Sequence, residues 1–195
     1  MTNLPVYIIN LRRRPDRLHK CIVQFPAGTN PIVIDAVDGY TLENVPKKFT
    51  KGEYACFLSH LKTLERIARD PVNAYALVLE DDAVVDLPNI QTFLRTMPRR
   101  IGVVSLGCNG YPPPAQIIDI APGIVAFDKY DLYGAHALLY SRQGARDCLR
   151  HVSMFGITDP FDVWLTRSRA TTVYIAKPSL ASVRSLRDTD TQSTR

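Results

Sequence analysis

A chain of 195 residues, 46% hydrophobic and 22% charged, has the size and balance of one globular domain with a proper core. No apolar run reaches the ~20 residues that a membrane-spanning helix needs, and Met1-Thr2-Asn3-Leu4-Pro5 places no basic segment ahead of an apolar one, so neither a span nor a signal peptide is predicted. The net charge of +5 suits phosphorylated ligands or an anionic membrane surface, but it is too small and too scattered to point to nucleic acid.

Val6-Tyr7-Ile8-Ile9-Asn10, entered from Pro5, predicts a short β-branched strand. Leu11-Arg12-Arg13-Arg14 follows, and Pro15 stands where a helix favours it, in the first turn. Leu18, Cys21, Ile22 and Phe25 fall at i, i+3, i+4 and i+7, one apolar face, closed by Pro26-Ala27-Gly28. A strand that runs through arginines into a helix N-terminus can hold an anion on N–H groups and guanidinium charge. Arg12, Arg13, Arg14 and Arg17 read equally as a solvated helix start. Pro31 to Ala36 predicts a second strand, ended by turn chemistry at Asp38-Gly39.

Thr50-Lys51-Gly52-Glu53 has the form of a capping box. Tyr54, Phe57, Leu58, Leu61, Leu64 and Ala68 keep helical spacing behind it, and Asp70-Pro71 stops the helix. The cap is a complete account of Glu53, set against a catalytic one. Ser59 and His60 fall off the centre of that stripe, on the helix flank. His60 reads as a structural residue or as a site residue.

Tyr75-Ala76-Leu77-Val78-Leu79 is an apolar run of strand length, predicted to be buried on both faces. It leads directly into Glu80-Asp81-Asp82. Burying three unpaired carboxylates costs several kcal/mol or more each, so they are predicted to stand at the carboxyl end of the strand, where open α/β sheets bind ligands. Held on one turn, they would suit a hard divalent cation, which can stabilise a departing pyrophosphate. The plainer reading is an acidic surface turn.

Ile90, Phe93, Leu94 and Met97 predict another helix, and Ile101 to Leu106 another strand. The Gly- and Pro-rich loop from Gly107 to Pro114 reads as a lid over a cleft or as a simple connector. Strands follow at 117–120, 123–127 and 133–140, then a helix capped by Ser141, a short helix from Thr158-Asp159-Pro160 through Trp164, and a strand at 171–176. The early part thus reads as alternating strands and helices around a parallel sheet, the later part as more irregular, with antiparallel strands. One domain over residues 1–184 is expected, with a loose polar tail at 185–195. Cys21, Cys56, Cys108 and Cys148 show neither a C-x-x-C pair nor zinc-like spacing and read as reduced, buried thiols of a cytoplasmic protein, peripheral at most to a membrane.

With these pieces in order, the chain resembles glycosyltransferase family 25, the lipooligosaccharide- and procollagen-type galactosyltransferases of GT-A fold. Four segments carry the resemblance: Val6 to Leu11 with Arg14-Pro15-Asp16-Arg17; Gly52-Glu53, Cys56 and Leu58-Ser59-His60; Leu77 to Asp82; and Gly134 to Ala137 with Ser141 to Ala145. The resemblance implies a Rossmann-like GT-A domain, with a mostly parallel central sheet flanked by helices and an irregular C-terminal part. It implies inverting transfer of a sugar, usually galactose, from a UDP-sugar donor to a glycan, glycolipid or glycoprotein hydroxyl. It implies Mn2+ or Mg2+ on Asp82 and Glu80, and a donor site around Asn10, Arg14, Arg17, Asp38, Gly39, Ser59, His60, Glu80 and Asp81. Inversion needs a base, for which Asp162, matching a P-x-D position, and Asp159 are candidates; each reads equally as a cap of the short helix. The segment after Pro178 departs from the family pattern and leaves the third metal ligand unassigned. A degenerate sugar-nucleotide or glycan-binding domain is the alternative.

Overall fold

The computed structural model describes residues 4–98, 101–110, 112–127 and 130–185. Apart from Ser185, the expected loose tail lies outside the described residues. The chain runs β1 (Val6–Asn10), α1 (Pro15–Ile22), β2 (Ile32–Asp35), α2 (Lys51–Arg69), β3 (Tyr75–Glu80), β4 (Ala83–Val85), α3 (Leu87–Thr96), β5 (Val103–Ser105), β6 (Ile117–Ala121), β7 (Ile124–Phe127), β8 (Ala137–Ser141), α4 (Arg142–Phe155), α5 (Phe161–Arg167), β9 (Val173–Ala176) and β10 (Ala181–Val183).

Eight strands form one sheet in the order β2-β1-β3-β8-β5-β9-β7-β6. β1 pairs parallel with β2 and β3, and β5 with β9; β8 runs against β3 and β5, and β7 against β9 and β6. Six strands therefore point one way and two the other. The antiparallel pairs fall in the later part of the chain, as the sequence predicts.

Alternation along the strands assigns the two faces. Tyr7, Ile9, Ala76, Val78, Leu138 and Tyr140 pack with Phe57, Leu64 and Ile67 of α2, Cys148 of α4, and Phe161 and Trp164 of α5. Val6, Ile8, Leu77, Leu79, Ala137 and Leu139 pack on the other side with Cys21 of α1, Ile90 and Phe93 of α3, and Leu180. β1 and β3 are buried on both faces, which explains their unbroken apolar runs. The cysteines are free thiols; Cys21 and Cys148 are buried, whereas Cys56, at the cleft, and Cys108, in a loop, are only partly so, against expectation. Among the described residues, no helix is long and apolar enough to cross a membrane.

Three local expectations hold: Thr50 and Glu53 form a capping box, Ser141 caps α4 through Gly144 N–H, and Pro15 opens α1. Two strands were not expected. β4 leaves the acidic turn and pairs antiparallel with β10, Val183 opposite Ala83, so the segment after Pro178 folds back onto that turn. Arg184 N–H donates to Asp82 O at 2.9 Å and Asp86 N–H to Leu180 O at 2.9 Å. The expected strand at 133–140 begins only at Ala137, because Gly134 takes φ +93°, outside a strand.

Candidate functional site

The carboxyl ends of β1 and β3 open beside the N-terminal half of α2. There the side chains enclose a cleft of about 640 Å³, counting its open mouth, lined by Arg13, Arg17, Gly39, Gly52, Cys56, Ser59, His60 and Glu80 to Asp82 among others.

Glu80 ends β3 on the α2 side of the sheet, in phase with Ala76 and Val78. His60 Nε2 lies 3.2 Å from Glu80 Oε1, and the Cys56 thiol donates to the same oxygen at 3.6 Å. Phe161 of α5 stacks on the His60 ring, centroids 4.0 Å apart and planes within 12°, which fixes its tilt. Burial works to raise the Glu80 pKa, but the His60 bond and the charges of His60 and His136 outweigh it and hold Glu80 below the usual range. Burial, joined by the Glu80 charge, keeps the Cys56 thiol well above its usual pKa.

Asp81 and Asp82 turn toward α1. Arg17, itself buried, places Nη2 at 2.6 Å from Asp81 Oδ1 and 2.8 Å from Asp82 Oδ2. Asn10 Nδ2 donates to Asp81 Oδ2 at 2.6 Å and to Arg14 O at 2.9 Å, tying the β1 loop to the acidic turn. Asp81 is thus held on both oxygens. Burial still lifts its pKa to about 6, against Arg17 and Asn10. Burial, and then the Glu80 charge, lift Asp82 to about 7 in spite of Arg17. Asp82 Oδ1 is buried and has no hydrogen-bond partner among the described residues.

That orphaned oxygen decides whether a hard cation fits. One guanidinium, that of Arg17, meets Asp81 and Asp82, Asp82 keeps a free lone-pair edge, and Glu80, paired with His60, is partly open to the cleft. Oxygen donors with surplus negative charge are the chemistry that a hard cation such as Mn2+ or Mg2+ takes. Asp81 is committed to Arg17 and Asn10.

The remaining sequence candidates fall into two groups. Ser59 and His60 are not on a flank: both are buried, because the inward face of α2 runs Gly52, Ala55, Ser59, His60, Thr63, Leu64, Ile67. Ser59 Oγ donates to Ala55 O at 2.7 Å and accepts Val37 N–H at 2.8 Å, anchoring the loop after β2. Gly39 lines the cleft, and a Cβ there would lie 3.0 Å from the Lys51 backbone, so glycine lets the Asp38-Gly39 turn pack closely onto α2. Asp38 accepts Tyr40 N–H and pairs with Arg13 at 2.8 Å, a turn cap rather than a cleft wall. Arg14 pairs with Asp16 at 3.1 Å outside the cleft lining, whereas its neighbour Arg13 lines it.

The base candidates are occupied. Asp162 Oδ2 accepts Gly134 N–H at 2.8 Å and Oδ1 accepts Val163 N–H at 2.8 Å; its charge still bears on Cys56. Asp159 pairs with Arg167 at 3.0 Å, next to the Asp131–Arg167 pair at 2.5 Å. Neither lines the cleft.

Sequence reasoning missed Cys56 and Arg13 as cleft residues, and His136. The Cys56-x-x-x-His60 spacing was the available signal for Cys56, since i and i+4 share a helix face. His136 is buried opposite the end of β3, its O accepting Glu80 N–H at 2.9 Å, and neither ring nitrogen has a hydrogen-bond partner among the described residues. Burial, only partly offset by Glu80, lowers its pKa.

Comparison with known proteins adds the following. The model of glycosyltransferase family 25 (LPS biosynthesis protein) matches residues 3–106. A human protein described as inactive glycosyltransferase 25 family member 3 is 33% identical over 96 residues, covering 40% of this chain. The chain spans only 16% of that relative's length. Among solved structures, a mutant Drosophila beta-1,4-galactosyltransferase 7 in complex with manganese, UDP-Gal and xylobiose aligns with TM-score 0.44 at 12% identity, over 93% of this chain and 71% of that one. A 4-diphosphocytidyl-2C-methyl-D-erythritol synthase from Anaerococcus prevotii aligns with TM-score 0.39 at 12% identity, over 94% and 74%.

Proposed function

The chain belongs to glycosyltransferase family 25, and on that premise we propose that its cleft transfers a hexose, galactose first among the candidates, from a UDP-sugar to a glycan, glycolipid or glycoprotein hydroxyl with inversion. The observation that carries this is the under-compensated acid turn: Asp82 Oδ1 is buried without a partner at the carboxyl end of a central strand, in one cleft with Arg13 and Arg17. A binding surface for neutral ligands has no use for such charge.

In this reading Arg13 attracts the diphosphate, while Arg17, already fixed by two carboxylates, contributes field rather than a mobile clamp. Asp82 and Glu80 would hold the divalent cation, which supplies charge stabilisation to the leaving diphosphate when bound. Asn10 and Asp81 keep the β1 loop and the acid turn in register, so that arginines and acids face one cleft. The His60–Glu80 bond points Glu80 toward α2 and sets which of its oxygens faces the donor. Asp162 would take the acceptor proton. Its two N–H bonds keep the carboxylate aligned, each oxygen retaining a lone pair for the acceptor hydroxyl.

A second reading, a donor-binding domain without turnover, is favoured by one observation: Arg17 occupies one oxygen of Asp82 as well as Asp81. A screen of sugar nucleotides for hydrolysis with and without Mn2+ separates the two. The transferase reading expects Mn2+-dependent release of the nucleoside diphosphate, lost in Asp82→Ala with the fold intact by circular dichroism. Donor binding with no turnover under any cation supports the second reading instead.

A further inference from the structure

We propose that Cys56, His60 and Glu80 form a second, chemically distinct cation site that takes a borderline d-block ion of the Zn2+ class. It goes beyond the Mn2+ or Mg2+ at Asp82, because its donors are sulfur, nitrogen and one oxygen, a set that hard cations avoid and zinc prefers.

The geometry is close to what such an ion imposes. A tetrahedral ion with bonds of about 2.1 Å to nitrogen and oxygen and about 2.3 Å to sulfur spaces its ligands roughly 3.4 Å (N to O) and roughly 3.6 Å (S to O) apart. Here His60 Nε2 to Glu80 Oε1 is 3.2 Å and Cys56 Sγ to Glu80 Oε1 is 3.6 Å. All three ligand atoms lie within 4.8 Å of one another. Cys56 and His60 are one helical turn apart on α2, Glu80 ends a buried strand, and Phe161 pins the ring, so little has to be ordered on binding. All three residues line the cleft, which leaves the fourth position to water or ligand, as in an open rather than a closed zinc site.

The protons balance simply. The Cys56 thiol releases one proton to solvent as the metal–sulfur bond forms. The His60 proton now facing Glu80 leaves Nε2, and Nδ1 takes one up. Nδ1 is buried and has no partner, and an unsatisfied N–H there weakens binding by about 10-fold or more. The site therefore binds a borderline ion reversibly instead of holding it as a permanent fold element. Its occupation withdraws Glu80 from the donor site, so zinc would inhibit turnover; that consequence alone rests on the proposed function.

The test is titration of the full chain with Co2+ in the absence of donor, read by thiolate-to-cobalt charge transfer and by the visible bands of four-coordinate Co2+. One equivalent is expected to bind, to be displaced by Zn2+ and to survive excess Mg2+. Cys56→Ser, close to isosteric and checked by circular dichroism, should abolish the charge-transfer band. His60→Gln should weaken binding at least ~10-fold, while Asp82→Asn should leave the band in place. No band in the parent chain, a band that survives Cys56→Ser, or one lost in Asp82→Asn would each overturn the site. Mn2+-dependent donor hydrolysis without a cobalt band would sink this inference and spare the proposed function; a band without hydrolysis would do the reverse.

Discussion

Glu80, Asp81 and Asp82 end a buried strand, while Asp131, Asp159 and Asp162 gather about the start of α5, and the two groups differ in how their charge is met. At the α5 end, Arg167 joins Asp131 and Asp159, and Asp162 accepts two backbone N–H groups. The hydrogen bond from Arg167 holds Asp131 below the ordinary carboxylate range. At the end of β3, one guanidinium serves two aspartates, and burial pushes Asp81 up to about 6 and Asp82 up to about 7. Carboxylates are equally acidic in sequence; what sets Asp81 and Asp82 apart in the fold is burial that one shared guanidinium does not offset.

That contrast can be broken most sharply at Arg17. Replacing it with Met leaves two buried aspartates without their cation, and such unpaired burial destabilises by about 3–5 kcal/mol. Urea unfolding at pH 8 should show the loss, and at pH 5, where both acids are largely protonated, the variant should recover much of it. A loss near zero at pH 8 would mean that Arg17 is not the counter-charge of the turn.

Next comes the α5 end itself. Asp162→Asn should cut transfer by at least ~100-fold, the lower range for a general base, with donor affinity retained in equilibrium binding. Were donor affinity to fall instead, Asp162 would move from the base role to that of a structural cap.

The pH profile of stability should separate the groups by sign. Asp81 and Asp82 have folded pKa values above their unfolded ones, so they favour the fold below about pH 4 and lose that contribution as pH rises through about 6 to 7. Asp131 does the opposite, its contribution being lost as pH falls below the usual carboxylate range. Chelated protein should therefore lose stability from pH 5 to pH 8, on the order of 4 kcal/mol. Millimolar Mn2+ should restore it at pH 8, by about 2.7 kcal/mol at 100 times the dissociation constant. A flat thermal midpoint across that range, with and without Mn2+, would contradict the acid-turn account. Smallest of all, Asp159→Asn removes one half-exposed partner of Arg167 and should change stability by less than about 0.5 kcal/mol.

The acid turn was legible in the sequence because burial and charge cannot coexist along one strand: Tyr75 to Leu79 had to be inside and Glu80 to Asp82 had to sit at the exit. The caps at Thr50 and Ser141 were legible because their chemistry is local. The face of α2 was legible only in part. Counting apolar residues placed the stripe on Tyr54, Phe57, Leu58, Leu61, Leu64 and Ala68, and Phe57 and Leu64 are indeed buried, but Ser59, His60 and Thr63 turn inward beside them because each finds a partner there: Val37 and Ala55 for Ser59, Glu80 for His60, Ser59 O for Thr63. Polar residues with partners behave as core, and the partners lie up to 22 positions away along the chain. Arg13 displaces Arg14 at the cleft for a similar reason, since Arg14 is drawn to Asp16. β4 and β10, three residues each, carry no periodicity to detect.

The pairing of Val183 with Ala83 spans a hundred positions. On the ribosome, the acidic turn therefore emerges long before the strand that clasps it, and stays unlatched until translation has gone as far as Val183. A nascent chain halted earlier would leave β4 as a bare strand edge beside the acidic turn.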